Sequence, residues 1–291
     1  MTLGGKLRAA ALSIVLSWGW RRALIALIAG ALSSLAMAPF DAWPILFVTF
    51  PVMVWLIDGA GAGRFNGLPS AAIAGWWFGF GYFVPGLYWI GYAFLVDAAN
   101  FGWLLPFAVC GLPAYLALFT AAGFALARAL WSRDAARILA LAGALTISEW
   151  LRGHVLTGFP WNAFGYALTE PLALAQTASL IGLWGMTFVA VAIFASPAVL
   201  IDGKARRSRF APLAALMLLA IMGAYGALRL INNPTQQLAD VKLRIMQPNL
   251  AQDDRFNYAA KAAVMRKYLT LSDRATSPQT ASNDSARGDG G

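Results

Sequence analysis

Long apolar runs separated by short polar connections fill the chain from residue 23 to residue 230. A helix needs about 20 predominantly apolar residues to cross the hydrocarbon core of a bilayer, and several runs reach or approach that length. The pattern therefore predicts an α-helical polytopic membrane protein with seven spans, of which the second and fifth are short. The predicted spans are residues 23–38, 43–57, 71–95, 104–127, 138–151, 179–200 and 210–230.

The first 22 residues carry two pairs of basic residues around an apolar run, 9–20, that is too short to span a membrane. We interpret this segment as an interfacial helix on the cytoplasmic face, with Trp18 and Trp20 at the level of the lipid headgroups. Because Arg21 and Arg22 follow the apolar run directly, a cleavable signal peptide is not expected.

The pattern changes abruptly after residue 231. Residues 241–247 alternate apolar and polar positions, which is typical of a strand, and residues 257–271 have the spacing of an amphipathic helix. Residues 272–291 are rich in Ser, Asp, Gly, Thr and Ala without periodicity, which indicates disorder. The predicted organisation is a cytoplasmic interfacial segment (1–22), a membrane helix bundle (23–231), the start of a soluble domain (232–271) and a disordered tail (272–291).

The net charge of +9 does not indicate nucleic-acid binding, because the basic residues follow the membrane topology. Twelve of the 22 Lys and Arg residues lie in the amino-terminal segment and in every second short connection. This positive-inside pattern predicts a cytoplasmic amino terminus and an outer, periplasmic location for everything after residue 230. The single cysteine, Cys110, excludes an internal disulfide and a multi-cysteine metal site, and neither a metal nor a cofactor is expected.

The candidate chemistry lies in the polar and aromatic island 149–166, between two apolar runs. Glu149 and Arg152 are three residues apart on one helical face, so they either pair with each other or contact a lipid headgroup or the soluble domain. His154 has Ser148 and Glu149 nearby, but we interpret it as a polar residue at the membrane rim rather than as part of a triad. Cys110 lies in the middle of a predicted span, so it is interpreted as structural rather than nucleophilic.

Four segments, in this order, resemble bacterial apolipoprotein N-acyltransferases. The most specific resemblance is Glu149-Trp-Leu-Arg-Gly153 followed by Thr157-Gly-Phe-Pro-Trp161. The others are Ala38-Pro-Phe-Asp-Ala-Trp-Pro44, Leu87-Tyr-Trp-Ile-Gly91 and Met246-Gln-Pro-Asn-Leu250, the last of which resembles the first strand of the family's nitrilase-like domain. The fold implied is a bundle of membrane helices in the bacterial inner membrane that carries a periplasmic α/β/β/α nitrilase-like domain.

The resemblance implies transfer of an acyl chain from a phospholipid donor to the amino-terminal diacylglyceryl-cysteine of an apolipoprotein acceptor. A cysteine forms a thioester acyl-enzyme, a glutamate acts as general base and a lysine stabilises the oxyanion. Trp161, with Phe159 and Pro160, is either an aromatic-belt anchor or, as the resemblance favours, the rim of the entry for the acyl chain. Tyr88 and Trp89 either line the lipid cavity or pack against other helices.

The three catalytic positions of the family find no match in these residues. The family's glutamate belongs to a Trp-Pro-Glu-Ser-type motif, and Ala281-Ser-Asn-Asp-Ser285 occupies the corresponding place. We therefore expect a truncated family member that is inactive by itself. The alternative is a non-enzymatic scaffold that binds membrane lipids, or a partner of a separate nitrilase-like subunit. A small transporter is disfavoured by the odd number of spans and the absence of paired half-repeats.

Overall fold

The computed structural model of the chain describes residues 3–61, 64–202, 210–234, 243, 245–250 and 258–273. All regular secondary structure within these residues is helical. The chain divides into two compact units, of which the first comprises Met1–Ala93 and Trp103–Pro234 and the second comprises Phe94–Gly102 and Thr235–Gly291. The observed architecture agrees with the expected membrane helix bundle in the first unit.

Nine of the helices belong to the first unit, counted over the described residues. They are α1 (Leu3–Val15), α2 (Gly19–Ser33), α3 (Leu46–Asp58), α4 (Leu68–Gly86), α6 (Leu112–Ala129), α7 (Ala136–His154), α8 (Leu172–Ala175), α9 (Ala178–Ala195) and α10 (Phe210–Asn232). The second unit holds α5 (Ala98–Phe101) and α11 (Lys261–Asp273).

Three helical stretches of the described chain are long and apolar enough to cross a membrane. They are Ala98–Ala129, Ala178–Ile201 and Phe210–Asn232, and α1 with α2 would add a fourth if that pair, bent by 119°, forms one span. The apolar helix Trp43–Asp58 is shorter, and α7 carries three charged residues, Arg137, Glu149 and Arg152. By length and composition alone, the helices thus identify a membrane protein.

The predicted span 71–95 is wrong in its second half, because α4 ends at Gly86 and Tyr88–Leu95 forms a 3₁₀ helix. Pro85 near that end has no backbone N–H, so it removes the α-helical bond to the carbonyl of Gly81. The predicted span 104–127 likewise begins with a π-helical turn, Phe107–Gly111, before α6. Pro113 explains this turn in the same way, since it cannot donate to the carbonyl of Val109.

Helix α4 approaches both α2 and α6 closely because glycines occupy the contact faces. A Cβ at Gly30 of α2 would overlap the backbone of Phe78, and a Cβ at Gly81 of α4 would overlap the backbone of Leu27. Gly79 lies against the side chain of Thr120 in α6 in the same manner. Small residues at these positions allow the backbone-to-backbone packing that membrane helices favour.

The core of the first unit also contains a residue from a connection. Phe164 is 3% exposed and belongs to the 3₁₀ helix Phe164–Leu168, which follows α7. Its ring lies 5.1 Å from the rings of both Phe50 in α3 and Tyr82 in α4, measured between centroids. The connection after α7 therefore folds back into the bundle instead of passing over its surface.

The predictions for the two ends of the chain are partly confirmed. The amino-terminal apolar run is divided between two helices, because α1 ends at Val15 and α2 begins at Gly19, which has a φ of 57°. The helix predicted at 257–271 is present as Tyr258–Ala260 and α11. The predicted strand has no regular secondary structure at its described residues, which are 243 and 245–247. The rest of that strand (241, 242 and 244) and the predicted disordered tail from 274 lie outside the described residues. A strand requires a partner, and none is present among the described residues.

Candidate functional site

The candidate site is built around a buried ion pair near the carboxyl-terminal end of α7. Glu149 and Arg152 are 5% and 2% exposed, and Nη2 of Arg152 lies 3.5 Å from Oε1 of Glu149. Of the two alternatives for these residues, the structure shows the pairing, and both side chains are buried in the fold. A buried charge of either sign is costly without a partner, so each of these two side chains depends on the other.

Arg152 also binds the backbone of the segment that returns after α7. Its Nη1 donates to the carbonyl oxygen of Trp161 at 2.7 Å and to that of Phe159. The face of the Phe83 ring lies 5.1 Å from the guanidinium carbon. The guanidinium thus satisfies two carbonyl groups that no helix can satisfy, in a place where unpaired backbone polar groups are costly.

Glu149 performs the complementary task for the N–H groups of the same segment. Its carboxylate accepts the backbone N–H of Phe164 at 3.1 and 3.2 Å and the hydroxyl of Thr187 in α9 at 3.2 Å. The Thr187 oxygen in turn accepts the N–H of Gly165 at 3.2 Å. The ion pair therefore satisfies both the carbonyl and the N–H groups of a non-helical stretch.

Asn162 joins this segment to the end of α4. The side-chain N–H of Asn162 donates to the carbonyl oxygen of Gly86 at 3.1 Å. The backbone carbonyl of Asn162 accepts a hydrogen bond from the Tyr82 hydroxyl at 2.9 Å. Asn162 has a φ of 55°, a left-handed conformation that asparagine adopts more readily than most residues. A Cβ at Gly86 would overlap the end of the Asn162 side chain, so a larger residue here would displace this amide.

The turn that reverses the chain after α7 depends on Gly158. Its φ is 72°, and a Cβ at this position would overlap the backbone of Gly153. The following N–H, that of Phe159, donates to the carbonyl of Arg152 at 2.8 Å. The Thr-Gly-Phe-Pro-Trp sequence therefore encodes a tight reversal that brings its aromatic residues back beside the helix end.

Pro160 and Trp161 line an open cleft of about 380 Å³ at this end of the bundle. Trp161 is 54% exposed, and its ring centroid lies 5.4 Å from that of Phe159. The remaining lining residues are Met37, Ala38, Asp41, Asn162, Tyr166 and Thr169. The cleft thus brings the Trp161 segment together with the turn after α2, two of the motifs that the sequence singled out.

Tyr88 and Trp89 do not line this cleft. Both lie in the 3₁₀ helix after α4 and are 52% and 46% exposed. The Tyr88 ring is 6.1 Å from that of Tyr92, so the exposed face of this helix is aromatic. Because they are at the protein surface, a contact with lipid is open to both side chains and stays a prediction.

The structure excludes a triad at His154. Its Nδ1 lies 2.7 Å from the carbonyl oxygen of Trp150, and its ring stacks on that of Trp150 at a centroid distance of 4.4 Å. Ser148 donates to the carbonyl of Leu145, and Glu149 is bound as described above. His154 is exposed, and its position at a membrane rim stays a prediction.

Cys110 lies on the surface of the protein, in the π-helical turn Phe107–Gly111. Its position within the helical stretch Ala98–Ala129 agrees with the predicted span, but its side chain does not pack inside the bundle. The π turn explains the difference, because none of its five residues is buried against another helix. No general base in the described residues contacts the thiol.

A second polar cluster surrounds Arg137 at the opposite end of α7. Arg137 is 2% exposed, and its Nη2 lies 2.7 Å from both carboxylate oxygens of Asp202. Its Nε is 3.5 Å from Asp58, which also accepts the indole N–H of Trp131 at 2.8 Å. This cluster ties α3, α7 and the end of the α9 region together, and among the described residues no group of acidic, His or Cys side chains could hold a metal ion.

Sequence reasoning missed Asn162, Thr187 and Tyr82. Asn162 could have been found, because an asparagine after a Gly-Phe-Pro-Trp turn is suited to a positive φ. Thr187 and Tyr82 lie in apolar helices, and nothing in their local sequence shows that they would meet Glu149 and Asn162.

Residues 29–196 match the family model described as "Apolipoprotein N-acyltransferase N-terminal domain". The chain is 69% identical over 282 residues to an apolipoprotein N-acyltransferase of Rhodopseudomonas palustris, covering 96% of this chain and 53% of the relative. It is 69% identical over 277 residues to that of Bradyrhizobium diazoefficiens (94% and 52%) and 47% identical over 268 residues to that of Brucella suis biovar 1 (90% and 50%). The chain spans about half the length of the curated relatives it matches.

Proposed function

Because the chain belongs to the apolipoprotein N-acyltransferase family, we propose that it acts as the membrane part of an enzyme that acylates lipoproteins. The acyl donor is a membrane phospholipid, and the acceptor is the amino-terminal diacylglyceryl-cysteine of an apolipoprotein. The observation that carries this proposal is the family match over 29–196, which includes the whole Glu149–Tyr166 site and the turn at Asp41.

We place the chain in the bacterial inner membrane with seven spans and a cytoplasmic amino terminus. The helices α2, α3, α4, α6, α7, α9 and α10 supply one candidate each for the seven predicted spans. Within this topology α1 is the interfacial segment of 1–22, residues 23–231 form the bundle and 232–271 begin a periplasmic nitrilase-like domain. The distribution of basic residues in the sequence supports this orientation.

Within this reaction, the Trp161 rim receives the acyl chain or headgroup of the donor. Trp161 and Pro160 line an open cleft, and the Phe159 ring lies beside that of Trp161, an arrangement that suits a lipid entering from the side. Glu149 and Arg152 are buried and occupied by backbone groups, so their role is to position the rim rather than to touch lipid. Tyr88 and Trp89 supply a second aromatic surface for lipid.

The chemical step itself requires a nucleophile, a base and a cation beside the developing oxyanion. The 291 residues contain no Trp-Pro-Glu-Ser motif, and their one cysteine is Cys110. We therefore assign lipid binding and positioning to these residues, and we expect the residues alone to transfer no acyl chain.

A chimera tests the proposal in cells depleted of their own apolipoprotein N-acyltransferase. Residues 1–249 of this chain are joined, at the Met-Gln-Pro-Asn-Leu segment, to the remaining part of the Rhodopseudomonas palustris relative. We expect the chimera to restore growth and lipoprotein acylation, and the chimera with Trp161→Ala to restore neither fully. Restoration of growth by residues 1–291 alone would contradict the proposal that these residues bind lipid but transfer no acyl chain by themselves.

The same experiment addresses the non-enzymatic alternative. A chimera that is well expressed but inactive would count against a role of these residues in acyl transfer. Co-purification of a separate nitrilase-like protein with the 291-residue chain would then favour a scaffold or partner subunit, whereas an active chimera excludes this reading.

A further inference from the structure

The cleft beside Trp161 contains one charged residue, Asp41, among the side chains that line it. Asp41 is half-buried and lies in the turn after α2, with a φ of 50° and its backbone N–H bonded to the carbonyl of Met37 at 3.1 Å. Within the part of the chain that the structure describes, no hydrogen bond or ion pair engages its carboxylate. The backbone of this residue is thus fixed, while its charge is left for a ligand.

Two of the other polar side chains that line the cleft are already hydrogen-bonded. The Asn162 amide donates to Gly86, and the Thr169 hydroxyl donates to the carbonyl of Tyr166 at 2.8 Å. Arg152 lies behind the Trp161 backbone, but its charge is paired with Glu149 and is not part of the lining. The charged side chain that a ligand meets in the lining of the cleft is therefore the carboxylate of Asp41.

Two aromatic side chains line the same cleft. Trp161 and Tyr166 are 54% and 41% exposed, so parts of both rings are free for contact. The face of an aromatic ring attracts cations, most strongly in the case of tryptophan. A carboxylate together with two partly exposed rings is the chemistry that recognises an ammonium group, and it disfavours an anion.

We propose that the cleft binds an ammonium group, with the Asp41 carboxylate as its counter-ion and the Trp161 and Tyr166 rings beside it. This inference rests on the proposed function, because it names the charge of the substrate group at the same rim. The ammonium belongs either to the headgroup of a zwitterionic donor lipid or to the amino terminus of the lipidated acceptor. The two sources share the chemistry, and separate probes distinguish them.

The test measures dissociation constants of short-chain lipids for the purified 291-residue chain in detergent. Dihexanoyl phosphatidylethanolamine carries the ammonium and dihexanoyl phosphatidylglycerol does not; a diacylglyceryl-cysteine peptide with a free amino terminus represents the acceptor. We expect Asp41→Asn to weaken binding of at least one amine probe about tenfold, the size typical of a lost charged hydrogen bond, and to leave phosphatidylglycerol unchanged. The amine probe that loses affinity identifies the source.

The control variant is Glu170→Gln, which removes the same charge from an exposed position that does not line the cleft. It should change no dissociation constant. A second measurement uses the unaltered chain: for the amine probe that Asp41→Asn weakens, acetylation of the amine should also weaken binding about tenfold, as expected for a lost charged hydrogen bond. The proposal would be overturned if free and blocked amines bound equally well. It would also be overturned if Asp41→Asn left the dissociation constants of both amine probes unchanged.

Failure of the ammonium site and failure of the proposed function give different results. Trp161→Ala should weaken every lipid probe, charged or not, because it removes apolar contact. If Trp161→Ala has this effect and Asp41→Asn has none, the rim binds lipid but does not recognise an ammonium group. If Trp161→Ala changes nothing, the rim itself is assigned incorrectly.

Discussion

The two ends of α7 each bury one arginine, and they use it for different purposes. Arg137 and Arg152 lie fifteen residues apart, about 22 Å along the helix axis. Arg137 binds two carboxylates, on α3 and after α9, so it ties helices to one another. It also donates to the carbonyls of Arg133 and Asp134, which are exposed residues just before α7. Arg152 binds one carboxylate and two backbone carbonyls, so it holds a non-helical segment in place. The first cluster fixes the bundle, and the second shapes a cleft.

The difference has an energetic consequence. A buried cluster of charged side chains can be replaced by apolar side chains of similar volume with little loss, because all of its charges leave together. The two carbonyls that Arg137 also binds belong to exposed residues, and that of Asp134 also accepts the Arg137 backbone N–H. The backbone carbonyls that Arg152 satisfies remain after any substitution and would stay unpaired in the interior. We therefore predict that replacing all charged side chains of the Arg137 cluster together costs little of the free energy of unfolding. Replacing Glu149 and Arg152 together should remain costly.

The largest expected effect is that of Glu149→Ala. It leaves Arg152 buried without its counter-ion and the Phe164 N–H without an acceptor, which should cost about 3–5 kcal/mol of the free energy of unfolding. Denaturant titration in detergent, followed by circular dichroism, measures this loss. Glu170→Gln is the matched control, and a loss as small as in this control would show that the ion pair does not hold the segment.

The next effect separates the two ends directly. Arg137→Leu alone should cost about 3 kcal/mol, because two carboxylates lose their partner. The triple variant Arg137→Leu, Asp58→Asn, Asp202→Asn should regain most of that loss. The double variant Glu149→Leu, Arg152→Leu should regain little, since the carbonyls of Phe159 and Trp161 stay unpaired. Equal recovery at both ends, in the same unfolding assay, would remove the distinction.

A smaller effect sharpens the role of the returning segment. Asn162→Gly keeps the left-handed backbone accessible and removes only the bond to Gly86, so it should cost about 1 kcal/mol. Asn162→Ala adds the strain of a positive φ and should cost about 1 kcal/mol more. Thermal unfolding of the two variants tests the order. A reversed order would indicate that the segment relaxes without its side-chain bond.

The smallest effect concerns the start of α7, outside the predicted span. The Ser132 hydroxyl and the Ala136 N–H both donate to Asp134 and lower the pKa of its carboxyl below the ordinary value of 3.8. A lowered pKa in the folded state stabilises the fold above the ordinary value, and this contribution is lost as the pH falls through the folded pKa. Ser132→Ala should therefore raise the pKa of Asp134, measured by titration, and reduce stability slightly at neutral pH. An unchanged pKa would contradict the assignment.

How much the sequence predicted follows from the range of each interaction. The Glu149–Arg152 pair and the course of most helices were predicted, because spacings of three and four residues and apolar periodicity are local. The Arg137 cluster was not predicted, since its contact with Asp202 joins residues 65 apart. The end of α4 at Gly86 has a local cause in Pro85, but the Asn162 amide that binds Gly86 comes from a segment 76 residues later and was not predicted.

The glycine contacts among α2, α4 and α6 restrict where the bundle can change shape. The backbones of α2 and α4 touch at Gly30 and Gly81, so these two helices cannot slide past each other without a steric clash. We therefore expect the α2–α4 pair to move as a rigid unit. Any widening that admits a bulky lipid is then expected at the places where α-helical geometry is already interrupted. In the first unit such places include the π turn Phe107–Gly111 and the bend in α9 at Gly182.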